Sequence, residues 1–200
     1  MKSKADEFPR VYARLEDLPK GDVPEVAVAG RSNVGKSSLL NTLLGRRTAR
    51  VSQTPGKTQT INLYPTQGAF RIADLPGYGY ARTSKGKREA WGRLIEGYLS
   101  GRETLRGVLL LIDARHPPTG LDVQMSRWLL FYGIHTIYVA TKADRIARGE
   151  RVRKIEKIRE ALELDRSATV YLFSSRTGEG KEALWRAVLD LTASARKGKE

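Results

Sequence analysis

The sequence predicts an α/β fold: a mixed six-stranded sheet with one antiparallel edge strand, flanked by helices on both faces. Three observations predict it. The apolar pattern switches repeatedly between short β-like runs and longer stretches of helical period. Two runs, VAVAG and VLLLIDA, are apolar without alternation, as central strands covered on both faces require. The second and third strand candidates lie too close in sequence for a helical crossover, so they pair antiparallel, while the others alternate with helices and run parallel.

In chain order, residues 1–23 read as an N-terminal extension in which charges alternate with isolated apolar residues. It offers no apolar stretch of signal-peptide or membrane-spanning length, which predicts a soluble cytoplasmic protein with no membrane partner. The domain is expected over 24–195. Its strands are Glu25–Ala29, Thr60–Tyr64, Phe70–Ala73, Gly107–Asp113, His135–Ala140 and Ala168–Phe173. The first helix is Lys36–Leu44, with Leu39, Leu40, Leu43 and Leu44 on one face and Gly45 as its C-terminal stop. Further helices are expected over Arg88–Leu99, Leu121–Phe131, Val152–Leu162 and Lys181–Ala193, the last with Leu184, Val188 and Leu191 on one stripe. Residues 196–200 form a basic tail.

Two hundred residues with no linker-like interior read as one domain, expected to be a monomer. The absence of cysteine excludes thiol catalysis, Cys-ligated zinc and iron–sulfur clusters. Lys and Arg total 36 against 22 Asp and Glu, a net charge of +14. Such an excess suits a polyanionic partner, although an Arg-rich, well-solvated surface gives the same count.

Directly after the first strand, GRSNVGKS (Gly30 to Ser37) fits G-x-x-x-x-G-K-[ST] and runs into an amphipathic helix. A glycine-rich turn points successive N–H groups at phosphate oxygens, and the helix aims its positive end at the same place. Gly30, Arg31, Ser32, Asn33, Val34, Gly35, Lys36, Ser37 and Ser38 are therefore assigned to nucleotide phosphate. Lys36 reaches the β- and γ-phosphates, and the Ser37 hydroxyl ligates Mg²⁺. At the end of the third strand stands Asp74-Leu75-Pro76-Gly77, a D-x-x-G whose carboxylate suits Mg²⁺ and whose Gly77 N–H can sense the γ-phosphate. The motif is common by accident; its place after a strand that follows the phosphate-loop helix makes it informative. Between that helix and the second strand, Thr54 to Thr60 reads as a switch loop. Gly56, Lys57, Thr58, Gln59 and Thr60 are assigned to it, with Thr58 favoured over Thr60 as the hydroxyl that completes Mg²⁺ coordination when γ-phosphate is present.

The base is argued from Thr141-Lys142-Ala143-Asp144, an [NT]-K-x-D element after the fifth strand. Guanine offers N1–H and the 2-amino group on one edge, and a carboxylate accepts both, whereas adenine presents no such pair. Asp144 left unpaired against adenine would discriminate by about 10⁴-fold. The stem of Lys142 lies over the purine plane. Thr141 in place of the commoner Asn is expected to make fewer ties to its neighbours. Phe173-Ser174-Ser175, after the sixth strand, is placed by order to offer backbone N–H to the guanine carbonyl.

These elements, in this order, resemble the translation-factor-related P-loop GTPases and their G domain. GRSNVGKSSLLN, PGKTQTINLY, DLPGYGYA, KREAWGRLIEGYL, DARHPP, DVQM and ATKAD together resemble the EngB (YihA/YsxC) family, from about Pro24 to the last helix. The resemblance implies a GTPase with GTP/GDP and Mg²⁺ as ligands, acting in assembly of the large ribosomal subunit and needed for normal cell division and septation. Asn33 matches the loop asparagine through which some related GTPases bind K⁺. Tyr78 stands where efficient GTPases carry a water-orienting Gln, so slow intrinsic hydrolysis is expected, resting on Lys36, the loop amides and Mg²⁺. Tyr78 and Tyr80 read equally as loop packing, and Trp91, Trp128 and Trp185 chiefly as helix packing. His116 and His135 stand without a second metal ligand at suitable spacing. A P-loop kinase would leave TKAD unexplained; a GTP-dependent binding module with incidental hydrolysis remains compatible with Tyr78.

Overall fold

The structure, a computed structural model, describes residues 9–45, 60–67, 70–79 and 85–193. Among the described residues, seven strands form one sheet: β1 (Arg10–Tyr12), β2 (Glu25–Gly30), β3 (Ile61–Pro65), β4 (Arg71–Asp74), β5 (Leu105–Asp113), β6 (Thr136–Thr141) and β7 (Val170–Phe173). Their order is β1-β3-β4-β2-β5-β6-β7. Five α-helices accompany them in the described residues: α1 (Lys36–Leu44), α2 (Lys85–Gly101), α3 (Gly120–Phe131), α4 (Arg151–Ala161) and α5 (Lys181–Ala193).

The sheet thus has one strand more than the six expected. The extra strand, β1, lies ahead of Pro24 and pairs antiparallel with β3, Arg10 opposite Leu63 and Tyr12 opposite Ile61. Its three residues are too few to show a period. As expected, β3 and β4 pair antiparallel and the strands from β4 to β7 run parallel. The antiparallel strand β3 therefore sits one place inside the edge, and β1 occupies the edge itself.

Alternation along the central strands divides the core into two layers. Val26 and Val28 of β2 and Leu109 and Leu111 of β5 face α1 and α5 through Leu39, Leu40, Leu43, Leu184 and Val188. On the opposite face, Ala27, Ala29, Ala73 and Ala140 meet α2, α3 and α4 through Ile95, Tyr98, Leu129 and Ile158. Helix α2 starts earlier than expected because its first turn, Lys85 onward, carries no apolar period to announce it.

Beneath the sheet, at the start of β2, the fully buried Glu25 carboxylate is held by Arg102 Nε at 2.8 Å and Nη2 at 2.5 Å, and accepts the Tyr98 hydroxyl at 2.8 Å. Arg71 adds a third cationic contact at 3.6 Å. Burial, followed by the Glu25 carboxylate, pushes the Tyr98 phenol well above its usual range. Arg102 also donates to the Pro19 carbonyl at 2.9 Å, tying the N-terminal stretch to the end of α2. Among the described residues, no helix is long and apolar enough to cross a membrane.

Candidate functional site

The strand order diverges on either side of β2, and the loops at the carboxyl ends of β2, β4, β5 and β6 meet there, where ligands of open α/β sheets bind. The turn after β2 carries Asn33 at φ 65° and Gly35 at φ 109°, left-handed conformations that fold the chain back into the N-terminus of α1. Val34 is buried beneath the turn. Lys36 leaves the first turn of α1 and its ammonium contacts the Asp74 carboxylate at the end of β4. The two groups assigned to phosphate and Mg²⁺ thus converge on one point although separated by 37 residues of chain. Ser37 is half-buried beside Lys36, and the Ser38 carbonyl accepts the Thr42 hydroxyl within α1 at 2.8 Å.

The D-x-x-G segment lies against the phosphate turn. Ser32 N–H and Oγ–H both donate to the Tyr78 carbonyl, at 2.9 and 3.1 Å, and Tyr78 N–H donates to the Gly30 carbonyl at 3.3 Å. Arg31 and Tyr78 form a parallel bridge that continues the sheet past its last full pair. A Cβ on Gly77 would lie 3.3 Å from both Gly30 O and Ser32 N, so only glycine permits this approach without displacing backbone. Leu75 is buried in the core, and the Pro76 carbonyl accepts the Trp91 indole N–H at 3.0 Å. Thr60 leads into β3, with its hydroxyl 3.5 Å from Asn62 Oδ1. Gly56, Lys57, Thr58, Gln59 and Tyr80 lie outside the described residues.

On the base side, Thr141 makes a tie that its departure from Asn had been expected to weaken. Its hydroxyl lies 2.7 Å from the Val34 carbonyl and 3.1 Å from that of Ile112, joining the end of β6 to the phosphate turn. Lys142, at φ 61°, donates to the Asn33 carbonyl at 2.7 Å and to Asp113 Oδ2 at 2.8 Å. Ala143 is fully buried, and Asp144 Oδ1 accepts the Ser174 hydroxyl at 2.7 Å. That hydroxyl is itself approached by the N–H groups of Arg176 and Thr177, so the loop after β7 orients the Asp144 carboxylate. The Ser174 N–H donates to the Glu179 carbonyl at 3.0 Å and so is engaged within its own loop, unlike the role expected of it. Phe173 is buried, with its side chain packed in the core. Ser175 is exposed at the tip of this loop.

Two acidic residues escaped the sequence assignment. Asp113, the last residue of β5, receives Lys142 together with Arg115 Nε at 2.9 Å and Nη2 at 2.8 Å. Burial raises its pKa, but the hydrogen bonds from Arg115 and Lys142 outweigh it and hold the carboxyl well below the usual range. An acid closing an apolar central strand at the ligand-binding edge was the available signal. Asp122, on the first turn of α3, accepts the Tyr78 hydroxyl at 2.9 Å. Nothing in its local pattern announced that contact. Trp128 packs against Tyr132 and Trp185 against Phe70, each pair of rings tilted, as packing residues.

The family model described as "50S ribosome-binding GTPase" matches residues 25–142, the span from β2 to Lys142. A probable GTP-binding protein EngB of Pelotomaculum thermopropionicum is 51% identical over 189 residues, covering 94% of this chain and 96% of the relative. The EngB protein of Bacillus subtilis is 46% identical, with 94% and 97% covered. A crystal structure of a probable GTP-binding protein EngB superposes with a TM-score of 0.70 at 24% identity, over 85% of this chain and 99% of that one, and supports the fold. With a phosphate turn, a D-x-x-G segment bonded to it and a T-K-x-D loop tied to the same turn, the chain belongs to the EngB family of GTP-binding proteins and is a GTPase.

Proposed function

We propose that this GTPase is a nucleotide-gated factor that binds the large ribosomal subunit during its assembly in the cytoplasm, acting as a monomer and hydrolysing GTP slowly until bound. The family resemblance further implies a requirement in normal cell division and septation. The observation that carries the proposal is the coexistence of a +14 net charge with a D-x-x-G segment hydrogen-bonded directly to the phosphate turn through the Tyr78 main chain. Charge supplies attraction to an RNA-rich particle; the segment supplies a state that depends on nucleotide.

Lys36 holds the phosphates, and Ser32 and Gly30 keep the Tyr78 main chain in place so that Gly77 N–H faces the terminal phosphate. Asp144, oriented by Ser174, accepts from the guanine edge, and Lys142 spans from base loop to phosphate turn. Asp74 and the Ser37 hydroxyl are hard oxygen donors beside Lys36 and fit Mg²⁺, with Thr58 as the nucleotide-dependent third ligand. When bound, Mg²⁺ neutralises charge on the transferred phosphoryl group. Asn33 is exposed at the rim of the phosphate turn, where K⁺ could support turnover; rates in K⁺ and Na⁺ test this.

Co-sedimentation with each purified ribosomal subunit, at several salt concentrations, with GDP and with a non-hydrolysable GTP analogue, tests the proposal. Binding should fall steeply with salt, favour the large subunit and differ between nucleotides. Binding that follows salt alone refutes it. Because the Tyr78 hydroxyl is engaged with Asp122 and not available to a water, a binding module with incidental hydrolysis is the second reading. Turnover that does not rise on adding large subunits would favour that module.

A further inference from the structure

Asp122 is buried, stands in the first turn of α3 and plays no part in the phosphate or base chemistry above. Yet three segments meet at its carboxylate. Oδ1 accepts the Tyr78 hydroxyl at 2.9 Å. Oδ2 accepts the Thr119 N–H at 2.8 Å and the Thr119 hydroxyl at 2.7 Å, which closes a capping box on α3 and fixes the carboxylate to a rigid element. The guanidinium of Arg31, from the phosphate turn, lies 4.0 Å from Oδ2. A buried carboxylate without such partners would be costly, so the Tyr78 hydroxyl has a strong reason to stay where it is.

We propose that Asp122 is a positioning residue for reading the γ-phosphate: through the Tyr78 hydroxyl it latches the Pro76–Tyr78 segment onto the phosphate turn and so fixes the Gly77 amide. This rests on the assignment of Gly77 as the γ-phosphate sensor. Gly77 has little freedom of its own, because its α-carbon side packs directly on Gly30 and Ser32. Its position is therefore inherited from its neighbours. On one side the Trp91 indole holds the Pro76 carbonyl, with its ring edge-on to Tyr78 at 6.2 Å. On the other side Tyr78 is pinned twice, by its main chain to Gly30 and Ser32 and by its side chain to Asp122. Burial and the Asp122 carboxylate push the phenol far above its usual pKa, so it remains a donor throughout the working pH range. The tyrosine that replaces a water-orienting side chain thus holds the backbone that meets the phosphate.

The latch acts on a group that meets only the terminal phosphate, so its loss should change GTP and GDP binding unequally. Affinities for GDP and for a non-hydrolysable GTP analogue, together with kcat and KM, are measured for the unsubstituted protein, Tyr78→Phe, Asp122→Ala and the double variant. Tyr78→Phe retains the ring against Trp91 and removes only the hydroxyl, which keeps the fold intact where Asp122→Ala also weakens the α3 cap. GDP affinity is expected to hold within about twofold in Tyr78→Phe, while analogue affinity falls by roughly tenfold, the scale of one hydrogen bond to a charged partner. Asp122→Ala should shift the GTP-to-GDP ratio by a similar factor, and the double variant by no more than either single one. An unchanged ratio, or single effects that add, overturns the latch while intact GDP binding leaves the nucleotide site standing. Absence of GDP binding to the unsubstituted protein would overturn both.

Discussion

Replacing Asp113 by Ala removes the acceptor that holds Lys142 from below, and its effect follows from the surrounding distances. Lys142 Nζ has two acceptors, Asp113 Oδ2 at 2.8 Å and the Asn33 carbonyl at 2.7 Å, and the substitution deletes the charged one. A hydrogen bond between charged groups contributes about 1.5–3 kcal/mol when shielded. The Lys142 side chain is 25% exposed and keeps its second bond, so solvent takes over part of the lost interaction. About 1–1.5 kcal/mol is left, roughly a five- to twelvefold rise in Kd. Because Lys142 stands on the base side, GTP and GDP should lose affinity by the same factor, with kcat at saturation unchanged. Titration with fluorescent GDP and GTP analogues measures both.

The pH dependence of this effect has a definite sign. A carboxyl whose folded-state pKa is depressed contributes an interaction that is complete above its unfolded value, about 4, and is lost as pH falls toward the folded value. Asp113 is depressed, so it stays ionised in the folded protein and the affinity gap between the unsubstituted protein and Asp113→Ala should be flat from pH 8 to about 5, while its contribution to stability should be complete above about 4 and fade only in stronger acid. Selective loss of GTP affinity, or reduced stability with both affinities intact, would refute the assignment of Asp113 as the support of Lys142.

Two further outcomes are expected. Asp144→Asn exchanges an acceptor for a donor and should shift preference from guanine to xanthine nucleotides; equal binding of ATP and GTP by the unsubstituted protein would sink the base assignment. Arg102→Ala leaves the fully buried Glu25 without its bidentate partner and should cost about 3–5 kcal/mol in denaturant unfolding, whereas a loss below about 1 kcal/mol would mean that Arg71 and Tyr98 suffice.

What the sequence determined by itself is whatever depends on local order and period. Helix α1 was legible to the residue because a glycine-rich turn, a leucine stripe and Gly45 mark its start, face and stop within one short stretch. Lys36 and Asp74 were assigned to a common site from their places after successive strands, because parallel strands carry their following loops to one edge of the sheet. The tertiary structure decided what depends on partners distant in the chain. The edge strand β1 owes its existence to β3, about 50 residues away, and three residues cannot display a period of their own. Thr141 holds the base loop through a carbonyl 107 residues earlier, and Asp122 finds Tyr78 across 44 residues. Local sequence names the donors and acceptors; only packing, by excluding water from them, determines which ones must meet.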